Sequence, residues 1–315
     1  MVTDNLTFNV NYDNIHADIL PVFQIKMNAG LFDFSWTGPN RVWFFPDGST
    51  STDERPAKIL SEAGIVELRV NTSDDWQGGY TLNSFDTLNN FIGDLSDFPA
   101  INGSITLRNC SNVTGDIYYI SHLTKNLELT NCVNIIGDLI SLKNITGYIR
   151  MSNCVNITGD LSSIENATND INLGNCSNIT GDLSSVENIN STLILENCFD
   201  ITGDLSSVSN VIVNLRLANC FNITGDLSSL NNITTSINLS NCFNITGAVK
   251  VGTTATSIML ENCSNIDVDQ TLINIDTTGE SDGSIDLTGC GIPTVASSTA
   301  ITNLLSKGWT LLLDS

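Results

Sequence analysis

From residue 105 to residue 287 the apolar positions return in a fixed order about every 22 residues. Each return opens on an alternating pair: Ile105/Leu107, Leu127/Leu129, Ile149/Met151, Ile171/Leu173, Leu193/Leu195, Leu215/Leu217, Ile237/Leu239, Ile258/Leu260 and Ile285/Leu287. A period of two predicts a short strand with one buried face. A single apolar column follows (Val113, Ile135, Ile157, Ile179, Ile201, Ile223, Ile245) and turns the chain inward. Gly-Asp comes next, from Gly115-Asp116 to Gly225-Asp226, and is a natural turn pair. Two more columns close each unit, one running from Ile117 to Leu227 and one from Ile120 to Leu230. No unit can bury these columns alone, so the strands are expected to stack as a parallel sheet, about 4.8 Å per coil. About nine or ten coils would span on the order of 45 Å. The return arm, GDLSSxxNIT, is too short for a regular helix and is expected to run as extended or 3₁₀ segments.

The chain's nine cysteines all fall in one column of this repeat: Cys110, Cys132, Cys154, Cys176, Cys198, Cys220, Cys242, Cys263 and Cys290. The first six steps are 22 residues, the next 21 and the last 27. Regular cysteines invite a disulfide or metal reading, and stacking argues against both. Neighbours in one column stand about 4.8 Å apart with parallel Cα–Cβ vectors. A disulfide needs converging vectors with Cβ atoms about 3.8 Å apart. Tetrahedral zinc needs ligands around a point, not along a line. The only histidines, His16 and His122, do not accompany the column. The cysteines are therefore expected to be a structural ladder of buried thiols, each a small hydrophobe, and no metal or other cofactor is expected.

Asparagine is the other overused residue. One column precedes the cysteines, from Asn109 to Asn262, and a second follows them by two, from Asn112 to Asn244. Coil corners carry backbone groups that need partners, and amide side chains can supply them and ladder along the stack. The second column also writes Asn-Ile-Thr at 156–158, 178–180 and 222–224, which matches the glycosylation acceptor. Sugars at every coil do not fit a packed corner, so the amides are read as structural. The Gly-Asp column is read as turn chemistry rather than calcium binding, because one carboxylate per coil cannot assemble six or more oxygen ligands.

These residues resemble the leucine-rich repeat. The LxLxx start is shared, and so is a ladder position three residues after the second apolar strand residue (Leu173 to Cys176). Cysteine-containing members of that family carry CxxIT there, and ITGDLSSL is similar to the LTGxIPxxL of plant-type repeats without its proline. The resemblance covers roughly residues 85–292. It implies a parallel solenoid used as a binding scaffold, and leaves the partner open.

The flanks differ. Residues 1–72 lack the repeat and are rich in aromatics, among them Phe8, Phe23, Phe32, Phe34, Trp36, Trp43, Phe44 and Phe45. Short alternating runs between turn clusters predict a small β-sandwich. Val42–Val70, with its aromatic strand, Asp-Gly-Ser turn and final strand, resembles the latter half of a PKD-type immunoglobulin-like domain. Residues 73–84 read as a linker or N-terminal cap, since an open solenoid end must be covered. The C-terminal cap is placed at 293–315. Within it, 297–307 puts Ala300, Ile301, Leu304 and Leu305 on one helical face, Gly308 stops the helix, and Trp309 with Leu311–Leu313 forms a last strand. The 27-residue step makes room for a loop at Thr277–Gly283. The expected fold is thus mainly β: a leucine-rich-repeat-like parallel solenoid, preceded by a small β-sandwich and closed by a helical cap.

Charge narrows the partners. The net charge is −22, with 12 basic residues, which removes the basic footprint that nucleic-acid binding needs and disfavours anionic membrane surfaces. No apolar run is long enough to insert in a membrane. The first residues, MVTDNLTFNV, show neither a basic n-region nor an apolar h-region. A chain built like an extracellular binder without an export signal points to a virion surface protein of phage tail, spike or capsid-decoration type, released by lysis. The alternative is a secreted or cell-surface bacterial adhesin. No P-loop, GxSxG, HExxH or CxxC motif is present, and no enzyme is expected. Solenoid ligands usually meet the concave strand face, whose outward positions here are mostly small and polar. The candidate binding residues there are Arg108, Glu128, Tyr148, Arg150, Glu196 and Arg216, because Arg and Tyr are enriched at binding hot spots. Expected partners are other virion or surface proteins through residues 1–72, a host surface glycan or protein through the solenoid, and copies of the chain itself in an oligomer.

Overall fold

A computed structural model describes residues 22–27, 30–36, 41–45, 47–52, 57–60, 64–70, 79–83, 93–97, 103–111, 113–230, 233–250 and 252–315. They are mainly parallel β with a few short helices, in two units, Met1–Ile157 and Thr158–Ser315. In each unit, two parallel sheets are built from short strands that return with the sequence repeat, an arrangement compatible with a repeat solenoid.

The first strand of each coil is the one the alternating pairs predict. In the first unit Ile105, Leu127 and Ile149 are register partners on Ser104–Arg108, Leu127–Glu128 and Ile149–Arg150. In the second unit the register runs Ile171, Leu193, Leu215, Ile237, Ile258, Ile285, Leu311. All but Leu311 are buried. The second strand was not anticipated. It is built from the Asn-Ile-Thr-Gly-Asp segments, such as Asn178–Asp182, Asp200–Asp204 and Asn222–Asp226, and its register sets each glycine across from the isoleucine of the next coil (Gly181↔Ile201, Gly203↔Ile223).

Those glycines are there for proximity. A Cβ on Gly203 would sit 2.7 Å from the Leu183 nitrogen, and one on Gly225 2.8 Å from that of Leu205. Their φ values, 116° and 111°, also lie where side chains are strained. The aspartate after each glycine caps the return arm. Asp204 Oδ1 accepts from the Ser206 backbone N–H at 2.9 Å and opens the 3₁₀ turn Leu205–Val208, which buries Leu205 and Val208. That hydrogen bond, with the Ser206 and Thr224 hydroxyls, holds the Asp204 carboxyl below its ordinary value. The return arm is thus 3₁₀, with the extended part taken by the second strand.

The asparagines before the cysteines all sit in the left-handed region, φ 57–65°, which Asn tolerates better than other side chains. Their amides form ladders. In the first unit Asn131 Nδ2 donates to Asn109 Oδ1 at 2.6 Å. In the second, Asn219 donates to Asn197 at 2.6 Å, and Asn241 to Asn219 at 2.8 Å. The column after the cysteines donates to backbone instead, as Asn244 does to the Phe221 carbonyl at 3.1 Å. The cysteines are buried free thiols, and they also act as donors. Cys198 Sγ reaches the Leu173 carbonyl at 3.2 Å, Cys220 that of Leu195 at 3.1 Å and Cys242 that of Leu217 at 3.2 Å. Each thiol therefore fills a core site and gives a strand-end carbonyl of the preceding coil a further donor.

The β-sandwich expected over 1–72 rests largely on residues outside those described. Its described strands pair antiparallel: Gly64–Val70 with Val22–Met27 and Arg41–Phe44, and Gly30–Trp36 with Ala57–Leu60. Gly79–Asn83, within the stretch read as linker or cap, pairs antiparallel with Gly30–Trp36 and parallel with Ser104–Arg108.

At the C-terminal end, the 27-residue step contains a helix, α1 (Val268–Asp276), ahead of the Thr277–Gly283 loop. It replaces the 3₁₀ turn of that coil. Asp267 caps it, Leu272 and Ile275 are buried, and Asn274 Nδ2 donates to the Val249 carbonyl at 2.7 Å. The cap helix, α2 (Ser298–Ser306), buries Ala300 and Leu304, whereas Leu305, expected on the same face, is 56% exposed. Lys307 Nζ meets Asp276 Oδ1 at 2.7 Å and ties the helix ends together. Gly308, at φ 84°, ends α2, and Thr310–Leu312 adds the last parallel strand.

The thiol ladder yields an alkaline signature. Burial pushes Cys198 and Cys242 from an ordinary 9.0 up to about 12, and Cys290 up to about 11. The folded chain holds these protons where the unfolded chain releases them. Their contribution is complete below about pH 9 and is lost as pH rises towards 12. The urea midpoint should therefore fall steeply between pH 9 and 11, less so in a Cys198→Ala/Cys242→Ala variant, and a thiol reagent should find nine reactive groups only after denaturation without reductant. At the neighbouring corner, Asn219→Gly keeps the left-handed backbone and loses the ladder, whereas Asn219→Ala loses both. Alanine should cost about 1 kcal/mol more than glycine in urea unfolding.

Candidate functional site on the strand face

Outward side chains of the first sheet alternate with the buried isoleucines and leucines. Parallel register then lines up the same position of successive coils. In the first unit Thr106, Glu128 and Arg150 are direct partners. Glu128 is 5% exposed, so its charge needs compensation from its neighbours. Arg108 supplies it as a fork, Nε to Oε1 at 2.6 Å and Nη2 to Oε2 at 2.7 Å. Arg150 stands on the other side, Nη1 4.0 Å from Oε2. Its guanidinium lies 4.5 Å from the Tyr148 ring centroid, within cation–π range. The Glu128 hydrogen bonds raise Arg108 above its ordinary value. One buried carboxylate thus orients Arg108 and stands beside Arg150, and the two arginine side chains stay 47% and 34% exposed.

The second unit carries a related group. Arg216 Nε donates to Glu196 Oε1 at 2.9 Å, and Asn238 Nδ2, one coil further on, donates to the same oxygen at 2.7 Å. Beside it runs a neutral row, with Asn214 donating to Thr192 Oγ1 at 3.3 Å and Ser236 Oγ to Asn214 Oδ1 at 2.9 Å. The six sequence candidates therefore fall into two clusters: Arg108, Glu128, Tyr148 and Arg150 in one unit, Glu196 and Arg216 in the other. Asn238 was missed because its role depends on a neighbour 42 residues earlier.

Away from this face, Phe199, Phe221 and Phe243 stack with centroids 5.7 and 5.8 Å apart, partly exposed. Their signal was legible as the residue after Cys in three successive coils. Exposed Tyr118, Tyr119, Ile136 and Ile140 stand on second strands and 3₁₀ turns where later coils carry Thr or Ser. An open cleft of about 460 Å³ near the C-terminal cap is lined by Asn265, Asp267, Asp269 and Ile292. Asp269 is occupied there by Thr294 and Ser297. Among the described residues, no group of three or more His, Cys, Asp or Glu side chains is placed to hold a metal ion, and no helix is long and apolar enough to cross a membrane.

No protein-family model matches the chain, and no curated protein matches it.

The two arginine clusters should respond differently to truncation. Arg108→Ala strands a buried carboxylate and should cost about 2 kcal/mol. Arg216→Ala leaves Glu196 with Asn238 and more solvent, and should cost under about 1 kcal/mol. Urea denaturation of both variants checks the order.

Proposed function

We propose that the chain is a non-enzymatic recognition protein. Its repeat is a leucine-rich-repeat-like solenoid over residues 85–292, closed by the cap at 293–315, and its strand face meets a host surface glycan or protein. Residues 1–72, a PKD/immunoglobulin-like sandwich, attach it to a virion as a tail, spike or decoration component.

The observation that carries this reading is the state of Glu128. Glu128 is buried, and both oxygens lie against arginine. What the face offers outward is a fixed display of guanidinium, phenol, hydroxyl and amide groups, which is recognition chemistry. The division between an aromatic-rich, non-repeating segment and a repeat with a polar strand face supports separate attachment and display roles.

Gold-labelled antibody to the chain should decorate particles released by lysis of the source culture, and a chain lacking residues 1–72 should stay in the supernatant. Labelling confined to cell envelopes would favour the adhesin reading. Recovery only as a soluble protein, bound to neither, would sink both.

A further inference from the structure

Two coils of the first unit depart from the repeat on their second strands and 3₁₀ turns. The residue before each glycine of the second strand is Thr114, Thr158, Thr180, Thr202, Thr224 or Thr246, and Ile136 is the single exception in that column. These threonines serve the aspartate of the preceding coil. Thr114 Oγ1 donates to Asp94 Oδ2 at 3.0 Å, Thr180 Oγ1 to Asp160 Oδ2 at 3.4 Å and Thr202 Oγ1 to Asp182 Oδ2 at 3.1 Å. Ile136 is the register partner of Asp116, on strands Ile135–Asp138 and Val113–Asp116, and has no hydroxyl to give. Asp116 Oδ1 accepts from the Tyr118 backbone N–H at 2.8 Å, and among the described residues no donor, basic or neutral, reaches Oδ2.

The 3₁₀ turns beside it change in the same direction. Turns 161–163, 183–185 and 205–207 read Leu-Ser-Ser, whereas these two read Ile117-Tyr118-Tyr119 and Leu139-Ile140-Ser141. The two turns pack side by side. Tyr118, Tyr119, Ile136 and Ile140 are each about half exposed or more, Tyr118 most at 68%. The two tyrosine rings meet edge to face, with centroids 5.9 Å apart. The fold does not require these side chains, since the coils between 157 and 229 are built with threonine and serine at the same positions. An exposed apolar cluster that interrupts a polar ladder and forgoes its hydrogen bond marks an interaction surface.

We infer that Asp116, Tyr118, Tyr119, Ile136 and Ile140 form a docking site for a protein segment that presents an arginine between apolar side chains. The site lies off the first-strand face, so it goes beyond the recognition reading and does not depend on it. Charge selects the arginine. The open oxygen belongs to an anion next to two aromatic rings, in a chain of net charge −22. A guanidinium both pairs with a carboxylate through planar N–H groups and lies against aromatic faces. The turn backbone already holds Asp116 by its other oxygen, which lowers the ordering cost of binding. Tyrosine and isoleucine around the pair would exclude water from it, as at a binding hot spot. A saccharide fits less well. Buried on these alkyl and phenyl groups, with one carboxylate oxygen and two phenols to meet, most of its hydroxyls would lose their partners.

Panning a displayed library of random twelve-residue peptides on the full chain tests this, with a Tyr118→Ser/Ile140→Ser variant as the counter-selection. Both serines are the residues of later coils, and an unchanged urea midpoint checks that the variant folds. Peptides held by the native chain and not by the variant should share an arginine flanked by apolar residues. One such peptide, synthesised with a fluorophore, should bind roughly tenfold or more weakly to Tyr118→Ser by fluorescence polarisation. Ile136→Thr should weaken it similarly, because it removes an alkyl contact and gives Asp116 the missing hydroxyl. Asp116→Asn still caps its turn. It should cost about as much as changing the peptide's arginine to glutamine, with little further loss when the two are combined. A selection that yields no patch-dependent peptide, patch-dependent peptides without arginine, or losses that add in full overturns the inference. So does a dimer in sedimentation that Tyr118→Ser dissolves, which would assign the patch to a second copy of the chain.

Discussion

Close approach of one coil to the next is the constraint on which the rest of each unit depends. Strands about 4.8 Å apart leave no room for a side chain where backbone meets backbone, and the glycines of the second strand stand at that meeting. Gly181, Gly203 and Gly225 each lie within 3 Å, from a would-be Cβ, of the preceding coil's backbone nitrogen. Once that spacing is set, every polar group at a corner lies within reach of the coils beside it. The amide ladders and thiol donors are the consequences. The ladders and thiol donors need the coil beside them, whereas each aspartate cap closes within its own coil, and the same side chains recur because both demands return at every corner.

The cysteine column shows how a residue type can be read correctly for packing and still be underestimated. Stacking geometry excludes a disulfide, and burial makes the thiol a small hydrophobe. Yet Sγ also donates to a strand-end carbonyl in the preceding coil. Alanine would leave a small void and that acceptor with one donor fewer. Serine would donate and bring a more strongly hydrated group into the core. Cysteine satisfies both demands.

What was legible in the sequence depended on whether a signal was local. First strands announce themselves by alternation, and the second strands do not. In Asn-Ile-Thr-Gly-Asp only the isoleucine is apolar, so no period can be counted, and the strand exists because the adjacent coil supplies its partner. Helix α1 hid for a similar reason. Val268, Leu272 and Ile275 have helical spacing, but they fall inside a step whose extra length read as a loop. In α2 the apolar face was overdrawn at Leu305, because the contact that holds the helix end is the polar one between Lys307 and Asp276. At the candidate site, residue types could be nominated from sequence. Their grouping could not, since Arg108 meets Glu128 only through strand register and Asn238 reaches Glu196 across two coils.

Recurrence and information are therefore complementary along this chain. The corner columns are nearly invariant because each must satisfy the coil beside it, and a column under that demand has little freedom to encode a partner. Outward positions of the first strand are under no such demand. They vary from Thr106 to Glu128 to Arg150 in one unit and from Ile194 to Arg216 to Asn238 in the other. The same pairing of arginine with glutamate gives different results in the two settings. Where Glu128 is buried, Arg108 is held by a two-point fork and Arg150 stands beside the same carboxylate. Where Glu196 is more open and an amide takes the second contact, the charges cancel and the group is a surface clasp. Burial of the carboxylate, rather than the pairing itself, thus decides how firmly the arginine beside it is held.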